Sequence, residues 1–461
     1  MEDSLIMALR TTLGDDLVRT GDLIPARNWA DASGLEPTAP TALVLPRSSV
    51  EVAAALTLCK AHGRPVVPQG GMTGLAGGAH PLDGEIAISL ERMVGIKEVN
   101  LLGGTITALA GTSLQMVQEA AEDAGFLLGI DFGSRGSCTV GGAVATNAGG
   151  NQVLRYGMTR ANVRGLEAVL ADGRIVSTPG KMLKNNTGYD WTQLFIGSEG
   201  TLGIITEVTF ALHPLPQSID SALVKVGDTA AALALLGALG KRLPAGLLVF
   251  EAMWKEFYDI ATDTMGLIAP IAADDGVFLL IEAPNTGDDG LLEALSACLE
   301  TGLILDAVIA RSNADRASFW KLRESVYEHG RHFPPIIGFD ISIPLERMEA
   351  AVDTLRRNIG KNFPGAPWVV FGHLADCNLH VNVMAEQTGP QTRKAVADTI
   401  YGVVAEFGGS VSAEHGIGRL KAPYLGLTRS PPELALMRDI KRTLDPYNIL
   451  NPGRIFAADG P

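Results

Sequence analysis

Apolar and polar positions alternate along this chain in two rhythms. From about Pro40, TALVLPRSSVEVAAALTLCKAHGRPVVPQGG reads strand, turn, helix, strand, with Val52, Leu56 and Cys59 at helical spacing behind Ser48 or Ser49 as a cap. The residues before Pro40 read as a helical lead-in, and GEIAISL as a further strand. A helix is predicted from Ser113 to Asp123, capped by Thr112 or Ser113. GLEAVLADGRIVST has the pattern of a hairpin turning at Asp172-Gly173, and IITEVTFALHPLP that of a long strand. From about Gln217 the rhythm changes. Apolar strands (LLVFEA, VFLLIEA) alternate with alanine- and leucine-rich helices (TAALALLGALG, GLLEALSACLE), which predicts an antiparallel sheet covered by helices. PPELALMRDIKRTLDP reads as a last helix. The expected fold class is α+β.

Three glycine-rich stretches interrupt the first rhythm. QGGMTGLAGG follows a strand directly, GSEGTLG precedes one, and between them runs DFGSRGSCTVGGAVATNAGGNQVLRYGMTR, Asp131 to Arg160, read as a long loop. That loop holds seven glycines, three arginines and one acid, and Ser137, Thr139 and Thr146 add small hydroxyl donors. Successive exposed amides of this kind form a nest for an anion such as a pyrophosphate; the plainer alternative is a connection that only needs tight turns. A Rossmann loop is excluded by the spacing, by the missing helix pattern and by the strand that follows QGGMTGLAGG; no Gly-Lys-Ser/Thr supports a Walker loop.

Composition narrows the class. The 461 residues exceed one ordinary domain, and 46% hydrophobic with 19% charged residues describes a globular protein. A formal charge of -14 without a Lys/Arg cluster argues against a nucleic-acid partner. Cys59, Cys138, Cys298 and Cys377 form no CxxC pair, which suits a reducing, cytoplasmic setting. MEDSLIMALR does not read as a signal peptide, and no apolar run approaches the roughly 18 residues of a membrane span.

The polar chemistry gathers late in the chain. Three of the eight histidines lie in GHLADCNLHVNV and SAEHGIG. In a strand LHVNV, His380 and Asn382 share a face, and His373 can return to it across a short loop. Two imidazoles with the Glu414 carboxylate make a common zinc set, though satisfied structural histidines are the alternative. Arg323, in SFWKLRESVYEHG, has the fork that matches a substrate carboxylate; a solvated arginine paired to Glu324 or Glu328 is the alternative.

In order, PQGGMTGLAGG, GSRGSCTVGG, ATNAGGNQVLRYG, NNTGYD, GSEGTLGIIT, GHLADCNLHVN, SAEHGIG and NPGR resemble the vanillyl-alcohol-oxidase fold of flavoproteins, in particular its FAD-linked D-2-hydroxyacid dehydrogenases. The resemblance runs from about Pro46 to Arg454 and implies a two-subdomain FAD-binding domain (1–216), a substrate and metal domain (217–425) and a helical segment returning to the FAD domain (426–461). It implies that Pro68, Gly70, Gly71, Met72, Thr73, Gly74 and Leu75 hold the pyrophosphate side of FAD. Gly136, Ser137, Thr139, Gly142, Ala145, Thr146, Gly150, Glu199, Gly200, Gly203 and Ile205 would line the rest, with Asn451 near the ring. Met72 and Thr73 stand where relatives with covalent FAD often have histidine, so noncovalent FAD is expected.

The same carry-over makes His373, His380 and Glu414 ligands of a divalent metal such as zinc, with Asn382 beside them, His415 as base and Arg323 as carboxylate clamp. It implies hydride transfer from C2 of a small 2-hydroxyacid to flavin N5, an electron acceptor such as electron-transfer flavoprotein or quinone, and a homodimer. A flavin subunit of a larger complex, or a non-redox FAD enzyme of this fold, are the alternatives. Two departures stand out. ADCN replaces the usual GDGN at Ala375 to Asn378, and Gly338 replaces a lysine that many relatives place two residues before the Asp of FDISIP. With Phe333, Ile336, Ile337 and Phe339 nearby, a substrate with an apolar side chain gains weight.

Overall fold

The computed structural model describes residues 3–457 apart from Gln217, Thr286, Asp288, Asp289, Pro334, Gln387 and Thr388. The expected boundary at 216/217 thus touches a residue, Gln217, outside the described set. The chain forms two compact units: Met1–Gly150, Tyr156–Leu215 and Glu414–Pro461 make one; Asn151–Arg155 and Pro216–Ala413 make the other. The return to the first unit comes at Glu414, earlier than the expected residue 426. In sequence terms SAEHGIG straddles that return.

The first unit holds a two-stranded ribbon, His213–Pro214 with Phe126–Leu127, and two main sheets. In the smaller, the parallel strands Ala42–Val44, Ile86–Ser89 and Val66–Gln69 are joined at one edge by Val18–Arg19, antiparallel to Ala42–Val44. The helical lead-in is therefore corrected. Helix Ser4–Leu13 stops at Gly14, whose φ of 94° no ordinary helical residue adopts, and the chain turns into that edge strand. Helix Ser49–Ala61 starts where Ser48 Oγ accepts the Glu51 amide, and buries Val52, Leu56 and Cys59. The larger sheet runs Ile96–Asn100, Thr105–Leu109, Ile204–Ala211, Val163–Val169, Ile175–Thr178, all neighbours antiparallel, and includes the expected hairpin at Asp172-Gly173.

The stretch Asp131–Arg160 is not one loop. Helix Val140–Thr146 crosses it, and Val153–Tyr156 and Thr159–Asn162 add single turns. Glycine disfavours helix, but Gly141 lies against Ala110, whose carbonyl takes its amide at 2.8 Å, so tertiary packing overrides propensity.

The second unit is a seven-stranded antiparallel sheet in the order Asp306–Ile309, Ile219–Val226, Val277–Pro284, Val249–Trp254, Trp368–His373, Asn378–Met384, Ile336–Ser342. Helices Thr229–Arg242, Gly290–Glu300, Met348–Asn362 and Pro390–Glu406 pack on one another and along the strands. A separate aromatic-rich core surrounds Met253, Phe257, Tyr258, Phe278, Phe319 and Phe371.

Candidate active site

In the first unit the glycine loops pack on each other. A Cβ at Gly70 would collide with Thr139 Oγ1, one at Gly71 with the Ser137 carbonyl, and one at Gly200, at φ 71°, would come within 2.8 Å of Pro68 Cγ. Much of the glycine requirement is thus met by neighbouring loops. Gly74 is different, since a Cβ there meets nothing nearer than Asp31 Oδ2 at 3.8 Å. Among the expected hydroxyl donors, Thr146 gives its proton to the Gly142 carbonyl at 3.0 Å, and Thr139 Oγ1 caps its helix by accepting the Gly142 amide at 3.4 Å. Met72 holds φ 57° in the turn where Thr73 and half-exposed Leu75 follow it. Ile205 is a buried core residue of its strand, and Gly136, Ala145, Gly150 and Gly203 belong to this unit's loops and helix ends.

Glu199 brackets the segment that carries EHGIG. At φ 51° and almost fully buried, its two carboxylate oxygens each accept one amide, from Ile417 and Gly418, at 2.7 Å. Burial pushes its carboxyl above the usual range, with those amides and Lys421 acting against that rise. Asn451 Nδ2 donates to the carbonyls of Gly78 and Glu199, while Asn451 Oδ1 and Ser198 Oγ are buried without a protein partner among the described residues. Unmatched buried polar atoms of this kind suit a bound group rich in hydrogen-bonding atoms. In the same unit Glu414 Oε1 accepts the Gly150 amide at 2.6 Å, and His415 is half-buried next to it.

The second unit presents its polar groups on one sheet face. Register sets this: Glu251 lies opposite His373, Phe371 opposite both Met253 and His380, Asp340 opposite His380, and Gly338 opposite Asn382. Opposed residues of antiparallel strands share a face, and alternation brings residues two apart to the same side. The His373 and His380 rings lie 5.5 Å apart at 77°, and His380 stacks at 5.0 Å on Phe371. Asn382 belongs to this row, as the strand pattern predicts.

Two acids that sequence reasoning missed organise the row. Glu251, 1% exposed, takes His373 Nδ1 on Oε1 and Arg323 Nε, at 2.7 Å, on Oε2. Arg323 is buried over the Phe371 ring at 4.7 Å, so its partner is neither Glu324 nor Glu328. Burial alone would raise the Glu251 pKa, but His373 and Arg323 hold it down to about 2. Asp340, fully buried, accepts from Asn378 Nδ2 at 3.3 Å and from the Ala413 amide at 3.2 Å. An acid alone in an apolar strand, as in VFEA and FDIS, was the available signal. Cys377, in place of the usual glycine, sits at φ 71°, which explains why glycine suits that turn.

Residues 215–455 match the family described as FAD linked oxidases, C-terminal domain, and residues 40–179 match the FAD binding domain. The chain belongs to the FAD-linked oxidase family. It is 37% identical over 457 residues to the mitochondrial D-2-hydroxyglutarate dehydrogenase of Bos taurus, covering 96% of this chain and 83% of that one. It is 34% identical over 470 residues to the D-2-hydroxyglutarate dehydrogenase of Stutzerimonas stutzeri (strain A1501), covering 99% and 100%. Among solved structures, p-cresol methylhydroxylase superposes with a TM-score of 0.79 at 17% identity (98% and 96% covered), and an alkyldihydroxyacetonephosphate synthase with 0.76 at 19% (98% and 86%). Those two establish the shared fold. As an FAD-linked oxidase, this is a flavoprotein with an FAD-binding domain and a second, sheet-rich domain. No described helix is long and apolar enough to cross a membrane.

Proposed function

We propose that this FAD-linked oxidase is a divalent-metal-dependent dehydrogenase that oxidises a D-2-hydroxyacid, of the D-2-hydroxyglutarate or D-lactate type, to the 2-oxoacid. The observation that carries this reading is the row of His373, His380 and Asn382 on one sheet face, with Arg323 tied to the same carboxylate as His373. A metal-ligating imidazole characteristically gives its other ring N–H to a carboxylate, and His373 with Glu251 has that arrangement. The relatives named D-2-hydroxyglutarate dehydrogenase support the substrate class.

In this reading Pro68, Gly70, Gly71, Met72, Thr73, Gly74, Leu75, Gly136, Ser137, Thr139, Gly142, Ala145, Thr146, Gly150, Glu199, Gly200, Gly203, Ile205 and Asn451 would hold FAD noncovalently, and the group would supply a hydride acceptor; a divalent ion such as zinc would make the substrate hydroxyl more acidic. His373, His380 and Glu414 would hold the ion, and Asn382 would orient the substrate beside them. Arg323 binds the substrate carboxylate through its fork, and His415 takes the hydroxyl proton. Electron-transfer flavoprotein or a quinone would be the electron acceptor. The four free cysteines fit a reducing, cytoplasmic setting, and a homodimer completes the proposal.

The test is anaerobic mixing of purified holoenzyme with paired D- and L-2-hydroxyacids while the flavin absorbance is followed. A D-acid should bleach the band, and chelation or His380→Ala should abolish the bleaching. Bleaching indifferent to both treatments removes the metal from the mechanism; no bleaching by any D-acid removes the substrate class.

A further inference from the structure

We infer that Glu251 is a positioning residue whose single carboxylate holds His373 and Arg323 in mutual register, coupling the metal-binding imidazole to the substrate-carboxylate clamp. The inference rests on the roles proposed above for those two residues. Its geometry lies wholly within the second unit.

Three observations carry it. First, strand pairing places Glu251 directly opposite His373, so the carboxylate meets the ring from a neighbouring strand of a rigid sheet. Acceptance at Nδ1 puts the imidazole proton there and makes Nε2 the ring's ligating nitrogen. Secondly, the other carboxylate oxygen takes Arg323 Nε, and the Phe371 ring lies 4.7 Å from the guanidinium carbon. With Nε held from one side and the plane steadied by the ring, Nη1 and Nη2 form the edge that would receive a substrate carboxylate. Thirdly, Glu251 and His373 both line a small recess that also includes Asn151, Leu154, Ala375 and Asp376.

A comparison inside the same sheet separates this role from a plain structural ion pair. Glu282, on the adjacent strand and equally buried, accepts Arg316 Nε and Nη2 at 2.6 and 2.8 Å and Trp320 Nε1 at 2.8 Å. None of those partners belongs to the polar row. His373 is part of that row, and Arg323 lies over the ring of Phe371 on the same face.

The experiment uses the full-length holoenzyme and the variants Glu251→Gln and Glu251→Asp; the second keeps the charge and withdraws it by one methylene. Co²⁺ is titrated into chelator-treated protein and followed by its visible spectrum, histidine ¹⁵N shifts report the His373 tautomer, and KM and kcat are measured for a D-2-hydroxyacid. With flavin absorbance retained, Glu251→Gln is expected to weaken Co²⁺ binding about 10- to 100-fold, to change the His373 ¹⁵N signature and to raise KM. Glu251→Asp, whose charge still balances Arg323, should lose both properties partially. Folded variants that bind Co²⁺ within about twofold of the parent, with an unchanged tautomer and KM, overturn the inference. A parent enzyme that binds no Co²⁺ overturns it differently, by removing the metal reading on which it stands.

Discussion

His329 shows what one buried side chain does to stability. Its ring is fully buried, has no hydrogen-bond partner at either nitrogen among the described residues, and lies 5.4 Å from the Phe257 ring and 6.1 Å from that of Phe333. Burial, with His332 adding to it, lowers its pKa to about 4 from the ordinary 6.5. Because the folded-state value is the lower one, the unfolded chain binds the proton first. The contribution is complete above about pH 6.5 and is lost as pH falls from there toward 4. Urea unfolding between pH 7.5 and 5 should show wild type losing more stability than His329→Phe, by on the order of 1–2 kcal/mol; equal pH slopes would refute it. Position 338 makes a second residue-scale prediction. Gly338 shares the sheet face of Asn382 and Asp340, and a Cβ there comes within 2.9 Å of Asn382 Oδ1, an adjustable side-chain atom. Gly338→Lys would add an ammonium to the polar row. The ratio of kcat/KM for D-2-hydroxyglutarate over D-lactate should rise about tenfold, the effect of one extra charge-assisted contact; an unchanged ratio places that side chain outside the substrate's reach.

At the scale of elements, the C-terminal NPGR segment is fastened by one arginine. Arg454 is almost fully buried, and its Nη atoms donate to both oxygens of Glu85 and to the carbonyls of His80 and Pro452. Asn451, three residues earlier, reaches Gly78 and Glu199. The last segment therefore ties the first glycine loop to the third. Arg454→Ala leaves Glu85 as an uncompensated buried charge, a change that costs about 3–5 kcal/mol. The urea midpoint should fall accordingly and bound FAD should be lost with it. A variant of wild-type stability would mean that the carboxylate finds water or another partner.

For the whole molecule, separate cores in the two units mean that cofactor binding acts first on the unit that holds the glycine loops. A ligand that binds only folded protein stabilises it by mass action, about 2.7 kcal/mol at one hundred times its Kd. Calorimetry of the apoprotein should show a transition that moves to higher temperature with added FAD. A scan that FAD leaves unchanged would contradict the cofactor assignment at the level of the whole chain.

Local pattern sufficed for much of this. Helical spacing at Val52, Leu56 and Cys59, a serine cap at Ser48 or Ser49, the Asp172-Gly173 hairpin and the shared face of His380 and Asn382 are properties of neighbouring residues, and the sequence determined them alone. It did not determine what approaches each glycine: Gly71 is closed in by Ser137 and Gly200 by Pro68, contacts that exist only once separate loops meet. Nor could it pair Glu251 with His373, 122 residues away, or with Arg323, 72 away. Strand periodicity fixes which face a side chain takes, whereas register across strands fixes its partner, and register is set by tertiary pairing.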